Sequence, residues 1–368
     1  MVALLRQFVE IESPSNEKGA LDAMAAAVAE ALWLPGGQVR LVSEATTGDH
    51  VVAQWPGAGG RMDGGIVVVC HHDTVHPVGG LAINPARVEN GWFYGPGSYD
   101  MKAALVQTVF ALRALQARSA WPSLPVTVLC TSDEEVGSVA GRPLIEAYAS
   151  RASLVLVMES VMAGWTVKTQ RKGVGTFTIT VGGRAAHAGA SHADGVNAIE
   201  EAAHLVLALQ GLTDYERGTT VNVGVVQGGT RNNVVPDQCV LEVDVRVTDM
   251  DAGRAVEAAI YGLRPTHPKA TVQVSGSVYR PPMERTAAVA RAFEFARGVA
   301  AEMGIDLSEG GTGGGSDANW VSPLGVAVLD GLGPAGAGAH TPNERVEIAA
   351  LAPHTALLAS LISEWPGA

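Results

Sequence analysis

The stretch Ile66-Val67-Val68-Val69-Cys70-His71-His72-Asp73-Thr74-Val75 decides how the rest of the chain is read. Its apolar run has no polar alternation, the pattern of a strand buried on both faces in a parallel sheet. A polar cluster begins where the run ends. The same order recurs twice: Val126-Thr127-Val128-Leu129-Cys130 leads to Asp133-Glu134-Glu135-Val136-Gly137, and Leu154-Val155-Leu156-Val157-Met158 leads to Glu159. Between the first two runs, Met101 to Gln116 has helical spacing with Asp100 at its N-terminal edge. Strand and helix therefore alternate, which predicts an α/β fold with helices on both faces of the sheet. In open sheets of this kind, sites form beyond the carboxyl ends of the strands. That is where these imidazoles and carboxylates fall.

Around residue 170 the texture changes. Gly175 to Val181, Thr220 to Val226 and Cys239 to Val247 alternate polar and apolar residues, the half-buried antiparallel pattern. Asn197 to Gln210 and Asp251 to Gly262 read as helices, so 168–280 is expected to form an inserted α+β domain. The helix at Ala287 to Met303 and the strand Val326 to Leu329 resume the first style. Residues 1–167 and 281–368 are thus expected to build one domain together. Gly310 to Gly315 lacks the following lysine of a phosphate loop and reads as a tight active-site loop.

A chain of 368 residues exceeds one ordinary core, in keeping with two domains. With 47% hydrophobic and 17% charged residues it is a well-buried protein rather than a disordered one. A net charge of −12 with no basic stripe argues against a nucleic-acid partner. Cys70, Cys130 and Cys239 are sparse and odd in number, so buried free thiols are expected rather than disulfides. Met1 to Glu10 reads as an amphipathic helix, not a signal peptide, and no apolar run approaches the ~20 residues of a membrane span. A cytoplasmic location without membrane contact is expected.

The clusters supply what a two-metal hydrolytic site needs. Two divalent ions are balanced by three carboxylates and a bridging hydroxide, with two imidazoles completing the set, and mixed nitrogen and oxygen ligands suit zinc. A strand's period of two places Asp73 on the face of His71, where it can orient the imidazole. The pieces His71-His72-Asp73-Thr74-Val75, Gly97-Ser98-Tyr99-Asp100-Met101-Lys102, Asp133-Glu134-Glu135-Val136-Gly137, Glu159, Gly313-Gly314-Gly315-Ser316-Asp317-Ala318 and His340 occur in order over nearly the whole chain. In them the chain resembles the aminoacylase/carboxypeptidase family of co-catalytic zinc hydrolases, which includes acetylornithine and succinyl-diaminopimelate deacylases and glutamate-releasing carboxypeptidases of the carboxypeptidase G type.

The resemblance implies a zinc-peptidase-like mixed sheet with helices on both faces, carrying an inserted ferredoxin-like lid and dimerisation domain. It implies two zinc ions per chain, with cobalt or manganese as alternatives. His71 and Glu159 would hold one, Glu135 and His340 the other, with Asp100 bridging both. Glu134 would be the general base and acid, Asp73 would orient His71, and the Asp100–Met101 peptide would be cis. In the insert, His187 of Gly183-Arg184-Ala185-Ala186-His187 would reach a homodimer partner's site and stabilise the oxyanion. Asn233 of the Gly229–Pro236 segment would contact the substrate carboxylate, and Arg280 matches a substrate-binding arginine of the glutamate-releasing carboxypeptidases. Guanidinium forks bind carboxylates bidentately, so Arg246, which ends the Glu242–Val245 run, is either a second carboxylate-binding arginine or a structural one.

The implied reaction is hydrolysis of an amide bond in a peptide or N-acyl amino acid with a free carboxylate, in the manner of a glutamate carboxypeptidase. The same machinery would serve a small-acyl deacylase of the aminoacylase or acetylornithine kind, or a dipeptidase. A catalytically silent binding protein is the reading from a different class.

Overall fold

The computed structural model describes residues 1–367. Two compact units divide the chain. The first comprises Met1–Gln170, Arg285–Gly311 and the chain from Ser316 onward; the second comprises Arg171–Glu284 with Thr312–Gly315. The sequence reading assigns Thr312–Gly315 to the first unit. The Arg171 guanidinium ties this segment to the second by donating to the carbonyls of Gly314 (3.1 Å) and Gly315 (3.0 Å).

The first unit is built on a mixed sheet in the order Gln38–Val42, His50–Trp55, Val126–Thr131, Ile66–His71, Leu154–Val157, Val328–Asp330, Thr166–Arg171, Ser308–Thr312. Ile66–His71 lies between Val126–Thr131 and Leu154–Val157, parallel to both, and every residue of the three strands is buried. Register puts His71 beside Thr131 and Val69 beside Val157, so the three carboxyl ends finish close together. The following helix, Ala103–Ala117, is buried through Ala103, Ala104, Leu105, Val106, Gln107, Thr108 and Val109. A helix apolar nearly all round has to be covered on several sides, and the sheet and the Ile348–Glu364 helix do this.

Two features depart from the sequence reading. Gln38–Val42 and His50–Trp55 form an antiparallel extension that the apolar-run criterion does not single out; the former is a largely exposed edge strand, so its sequence carries little burial signal. Part of the glycine-rich segment, Ser308–Thr312, is an edge strand rather than a loop. Gly310 and Gly311 pass close to the neighbouring strand, where a Cβ would come within 3.1 Å of Thr166 and 3.3 Å of Gln170.

The second unit runs Gly173–Gly182, Ala198–Gln210, Thr220–Gly228, Gln238–Val247, Met250–Tyr261, Thr271–Arg280, which is strand–helix–strand–strand–helix–strand. Its antiparallel sheet has the order Thr220–Gly228, Gln238–Val247, Gly173–Gly182, Thr271–Arg280, a ferredoxin-like arrangement. Phe177, Ile179, Leu241 and Val243 bury one face of the sheet together with Leu205, Leu209 and Ile260 of the helices. Asn197 caps the first helix by accepting the N–H groups of Ile199 and Glu200, and Asp249 caps the second through Ala252. Cys70, Cys130 and Cys239 are buried free thiols. Among the described residues, no helix is long and apolar enough to cross a membrane.

Candidate metal centre

His71 is the last residue of its strand, and Glu134, Glu135 and Glu159 lie just past the ends of the two flanking strands. His71 Nε2 is 3.2 Å from Asp100 Oδ1 and 3.7 Å from Glu159 Oε1. His340 Nε2 is 3.2 Å from Asp100 Oδ2 and 3.2 Å from Glu135 Oε2. One carboxylate thus stands between two imidazoles, offering an oxygen to each. Two groups of ligand atoms, each lying within 4.8 Å of one another, emerge: His71 with Glu134 and Glu159, and His71 with Asp100 and Glu135. The Asp100–Met101 peptide is cis. His340 has a left-handed backbone (φ 61°), and its side chain is 52% exposed, so it rims the centre from the solvent side.

Asp73 ties the pieces together. The strand stops at His71, so Asp73 reaches the imidazole from the succeeding loop rather than along the strand face. Its Oδ1 is 3.3 Å from His71 Nδ1 and its backbone oxygen 3.1 Å. The same carboxylate accepts the N–H of Glu134 (3.2 Å), the N–H of Glu135 (3.1 Å) and the Ser15 hydroxyl (2.8 Å). One buried acid therefore orients a histidine and holds the backbone of both glutamates. His72 is fully buried, and burial, assisted by the neighbouring His50, His71 and Lys102 against the opposing pull of Asp73, pushes its imidazole down to about 3.

The remaining candidates lie in the second unit. Ala186–His187 pairs antiparallel with Val234–Val235, and the Ala188 N–H donates to the Asn233 carbonyl, so His187 and Asn233 share one small ribbon. Both are exposed, and His187 Nδ1 accepts the N–H groups of Gly189 (3.1 Å) and Ala190 (3.0 Å). A cleft of about 550 Å³ adjoins this ribbon, with Ala188, Asn232 and Val234 among its walls. Arg246 and Arg280 flank Val174 from either side, at the opposite end of the Gly173–Gly182 strand from this ribbon. The Arg246 fork is filled by Asp244, with Nε–Oδ1 and Nη2–Oδ2 both 2.9 Å. Residues two apart on one strand share a face, so the spacing itself carries the signal for that pair. Arg280 is 6% exposed and lies against Gly315, where a Cβ would come within 3.0 Å of its Nη1.

Residues 67–364 match the model for peptidase family M20/M25/M40. The chain belongs to this peptidase family. A carboxypeptidase G2 of Pseudomonas sp. (strain RS-16) is 32% identical over 329 residues, 86% of this chain and 77% of its own. A succinyl-diaminopimelate desuccinylase of Ruegeria pomeroyi is 31% identical over 304 residues, 76% of this chain and 77% of its own. Among solved structures, a dinuclear metal binding peptidase of Bacillus subtilis superposes with a TM-score of 0.70 at 18% identity, covering 98% of this chain and 96% of its own. Membership in the peptidase family makes the chain a metal-dependent hydrolase of the peptidase and amidase kind.

The electrostatics of the M20 centre fit a bound cation. Burial opposes charge on His71, but hydrogen bonding to Asp100 and Asp73 prevails and holds its imidazole well above the ordinary value. Hydrogen bonds to Asp100 and Glu135 push His340 up to about 10. Burial raises Asp100, yet His340 and His71 outweigh it and hold the carboxyl far below the usual range. Glu135 Oε1 is buried without a hydrogen-bond partner among the described residues. An orphaned carboxylate oxygen in a ring of imidazoles and acids is a donor waiting for a cation. Sequence reasoning misses Ser15, which braces Asp73, and Glu344, which is fully buried and accepts the N–H groups of Gly97, Tyr99 and Asp100. For Glu344 the one available signal is its place four residues after His340.

Proposed function

We propose that this chain is a two-metal carboxypeptidase acting on small peptides or N-acyl amino acids with a free carboxylate. The observation that carries this reading is the Asp100 carboxylate standing between His71 and His340, 3.2 Å from each. His71 and Glu159 would hold one ion, Glu135 and His340 the other, and Asp100 both. Nitrogen and oxygen donors in this mixture support zinc, with cobalt or manganese as alternatives. When bound, such a pair lowers the pKa of a shared water and polarises the scissile carbonyl. Glu134 takes the proton from the attacking water and delivers it to the amide nitrogen as the carbon–nitrogen bond breaks. Asp73 fixes the His71 ring and the backbone from which Glu134 projects.

The insert supplies recognition. His187 donates to the carbonyl oxygen as negative charge develops there, acting on the partner's centre in a homodimer together with Asn233 of the same ribbon, while Arg280, at the far end of the central strand, binds the free carboxylate of the substrate at the other centre. Arg246 supports the carboxylate subsite through its pairing with Asp244. Dimerisation through the insert is supported by the Thr220–Gly228 edge strand and by Val226 and Leu207, which are 51% and 74% exposed. The buried free thiols support a reducing, cytoplasmic setting.

The 32% identity to a carboxypeptidase G2 supports glutamate release over small-acyl removal; the desuccinylase at 31% supports deacylation as the second reading. Elemental analysis of the purified protein, with hydrolysis of pteroyl-glutamate, N-acetyl and N-succinyl amino acids and dipeptides with and without a chelator, tests both. About two zinc per chain and chelator-sensitive glutamate release is the expected result. Preferred cleavage of an acyl amino acid favours the second reading, and a chain that neither binds metal nor turns over any amide overturns both.

A further inference from the structure

Glu344 is a fully buried acid that none of these roles uses. Its Oε1 accepts the N–H groups of Tyr99 and Asp100 at 2.8 Å each. Its Oε2 accepts the N–H of Gly97 at 2.8 Å and meets His76 Nε2 at 2.5 Å. The segment it holds has little regularity of its own: Gly97 is left-handed (φ 67°), and Asp100 has φ −120° and ψ 93°. Buried N–H groups need acceptors, and here one side chain accepts from three of the turn's N–H groups, those of Gly97, Tyr99 and Asp100. The reason it can do so lies in a short sheet. Trp92–Tyr94 pairs antiparallel with Arg345–Glu347, Arg345 lying opposite Tyr94. The chain entering the Asp100 turn and the chain leaving the His340 loop therefore run side by side. The Glu344 carbonyl adds bonds from Gly95 N–H (3.3 Å) and Asn84 Nδ2 (3.0 Å).

We infer that Glu344 is a positioning residue for the metal pair. It fixes the backbone of Asp100 from the loop that carries His340, and so sets the relation between two ligands contributed by distant parts of the chain. This rests on the two-metal reading. Because Asp100 serves both ions, loosening its turn weakens both sites together, whereas loss of His340 weakens one. His76 holds the carboxylate from its free side and contributes less, since the three amide bonds survive without it.

The test compares the full-length parent with Glu344→Gln, Glu344→Asp and His76→Ala. Zinc affinity is titrated against a competing chelator, the metal-free proteins are melted, and kcat and KM are measured on the amide the parent cleaves best. Glu344→Gln turns an amide donor toward a backbone N–H. It is expected to weaken zinc about 10–100-fold at both sites, with kcat falling and KM within about threefold. Glu344→Asp recovers part of the loss, and His76→Ala costs about 2–5-fold in affinity. A lowered melting temperature with zinc affinity and kcat within about twofold of the parent makes Glu344 a scaffold residue only and overturns the inference. Should Glu344→Gln not fold, the other two variants decide by the same titration. A parent that takes up no zinc fails the two-metal reading; a parent that binds two, with variants indistinguishable from it, fails this inference alone.

Discussion

The two units handle chemistry in opposite ways. In the first, His71, Asp100, Glu134, Glu135, Glu159 and His340 come from segments far apart in sequence, yet strand ends and a shared acid bring them together with most of their atoms buried. In the second, the candidates sit on one continuous meander and remain apart. His187 and Asn233 lie past the Gly182 end of the central strand, Arg246 and Arg280 beside Val174. At about 3.3 Å per residue, the strand from 174 to 182 alone separates them by ~26 Å. No small substrate spans that distance within one insert. The metal-ligand candidates are fixed where the fold is dense, whereas His187 and Asn233 are held out on an exposed ribbon.

The sharpest way to break this comparison is to remove Glu134, the proposed base, from the dense side. Glu134→Ala is expected to keep both metals and lose about 10²–10⁴-fold in kcat. Metal content and turnover measured on the same preparation check it. A variant that still turns over near the parent rate would reassign the base, with Glu135 the first alternative.

Next in size is His187→Ala, expected to lose about 10²–10³-fold in kcat with metal content unchanged. Its value lies in mixing. If His187 acts on the partner's centre, Glu134→Ala and His187→Ala chains allowed to exchange subunits form mixed dimers with one intact site. Activity should then rise to about a quarter of the parent's per chain. Two inactive variants that stay inactive after verified exchange would put His187 to work within its own chain or outside the reaction.

The same contrast explains what the sequence revealed. His71, Glu134, Glu135 and Glu159 were legible because continuous apolar runs announce buried strands, and a polar residue just past such a run has few reasons to be there but chemistry. Asp73 was found for a reason the structure revises: it meets His71 from a loop, not along a strand. Glu344 was missed, because it accepts backbone N–H groups 244 to 247 residues away, and apart from its place four residues after His340 local patterning carries no trace of that. The Gln38–Val42 edge strand and the strand within the glycine-rich segment were missed because exposed or side-chain-poor strands have no hydrophobic period. The exposed candidates of the insert were reachable through resemblance alone.

Density also has a pH signature. His354 is 4% exposed, stacks on Trp165 at 3.9 Å between ring centroids, and burial pushes its imidazole down to about 4. The folded state therefore keeps it neutral while the unfolded chain takes up a proton below about 6.5. Between those values the unfolded state binds more protons, so stability rises with pH. It is fully present above about 6.5 and declines as the pH falls toward 4, by up to about 3 kcal/mol. Denaturant melts across that range should show His354→Phe flattening its share of the loss. An unchanged slope would mean that the ring stays solvated or protonated in the fold.

The smallest effect separates the two arginines that flank Val174. Arg280 is 6% exposed with its guanidinium packed over Gly315, while the Arg246 side chain is 32% exposed and already committed to Asp244. A fork bonded on both prongs to a neighbour in partial contact with water contributes under about 1 kcal/mol as a pair, and it has little left to offer a ligand. A buried guanidinium serving a carboxylate loses its bidentate geometry when replaced by lysine. Arg280→Lys is therefore expected to raise KM about tenfold, whereas Arg246→Lys should move it by less than about threefold. Measured on a substrate and on its carboxamide analogue, the Arg280 effect should vanish with the analogue, because the charge it recognises is gone. If Arg246→Lys gives the larger change, the Asp244 pair opens for the substrate, and the exposed side of the insert is less passive than its geometry suggests.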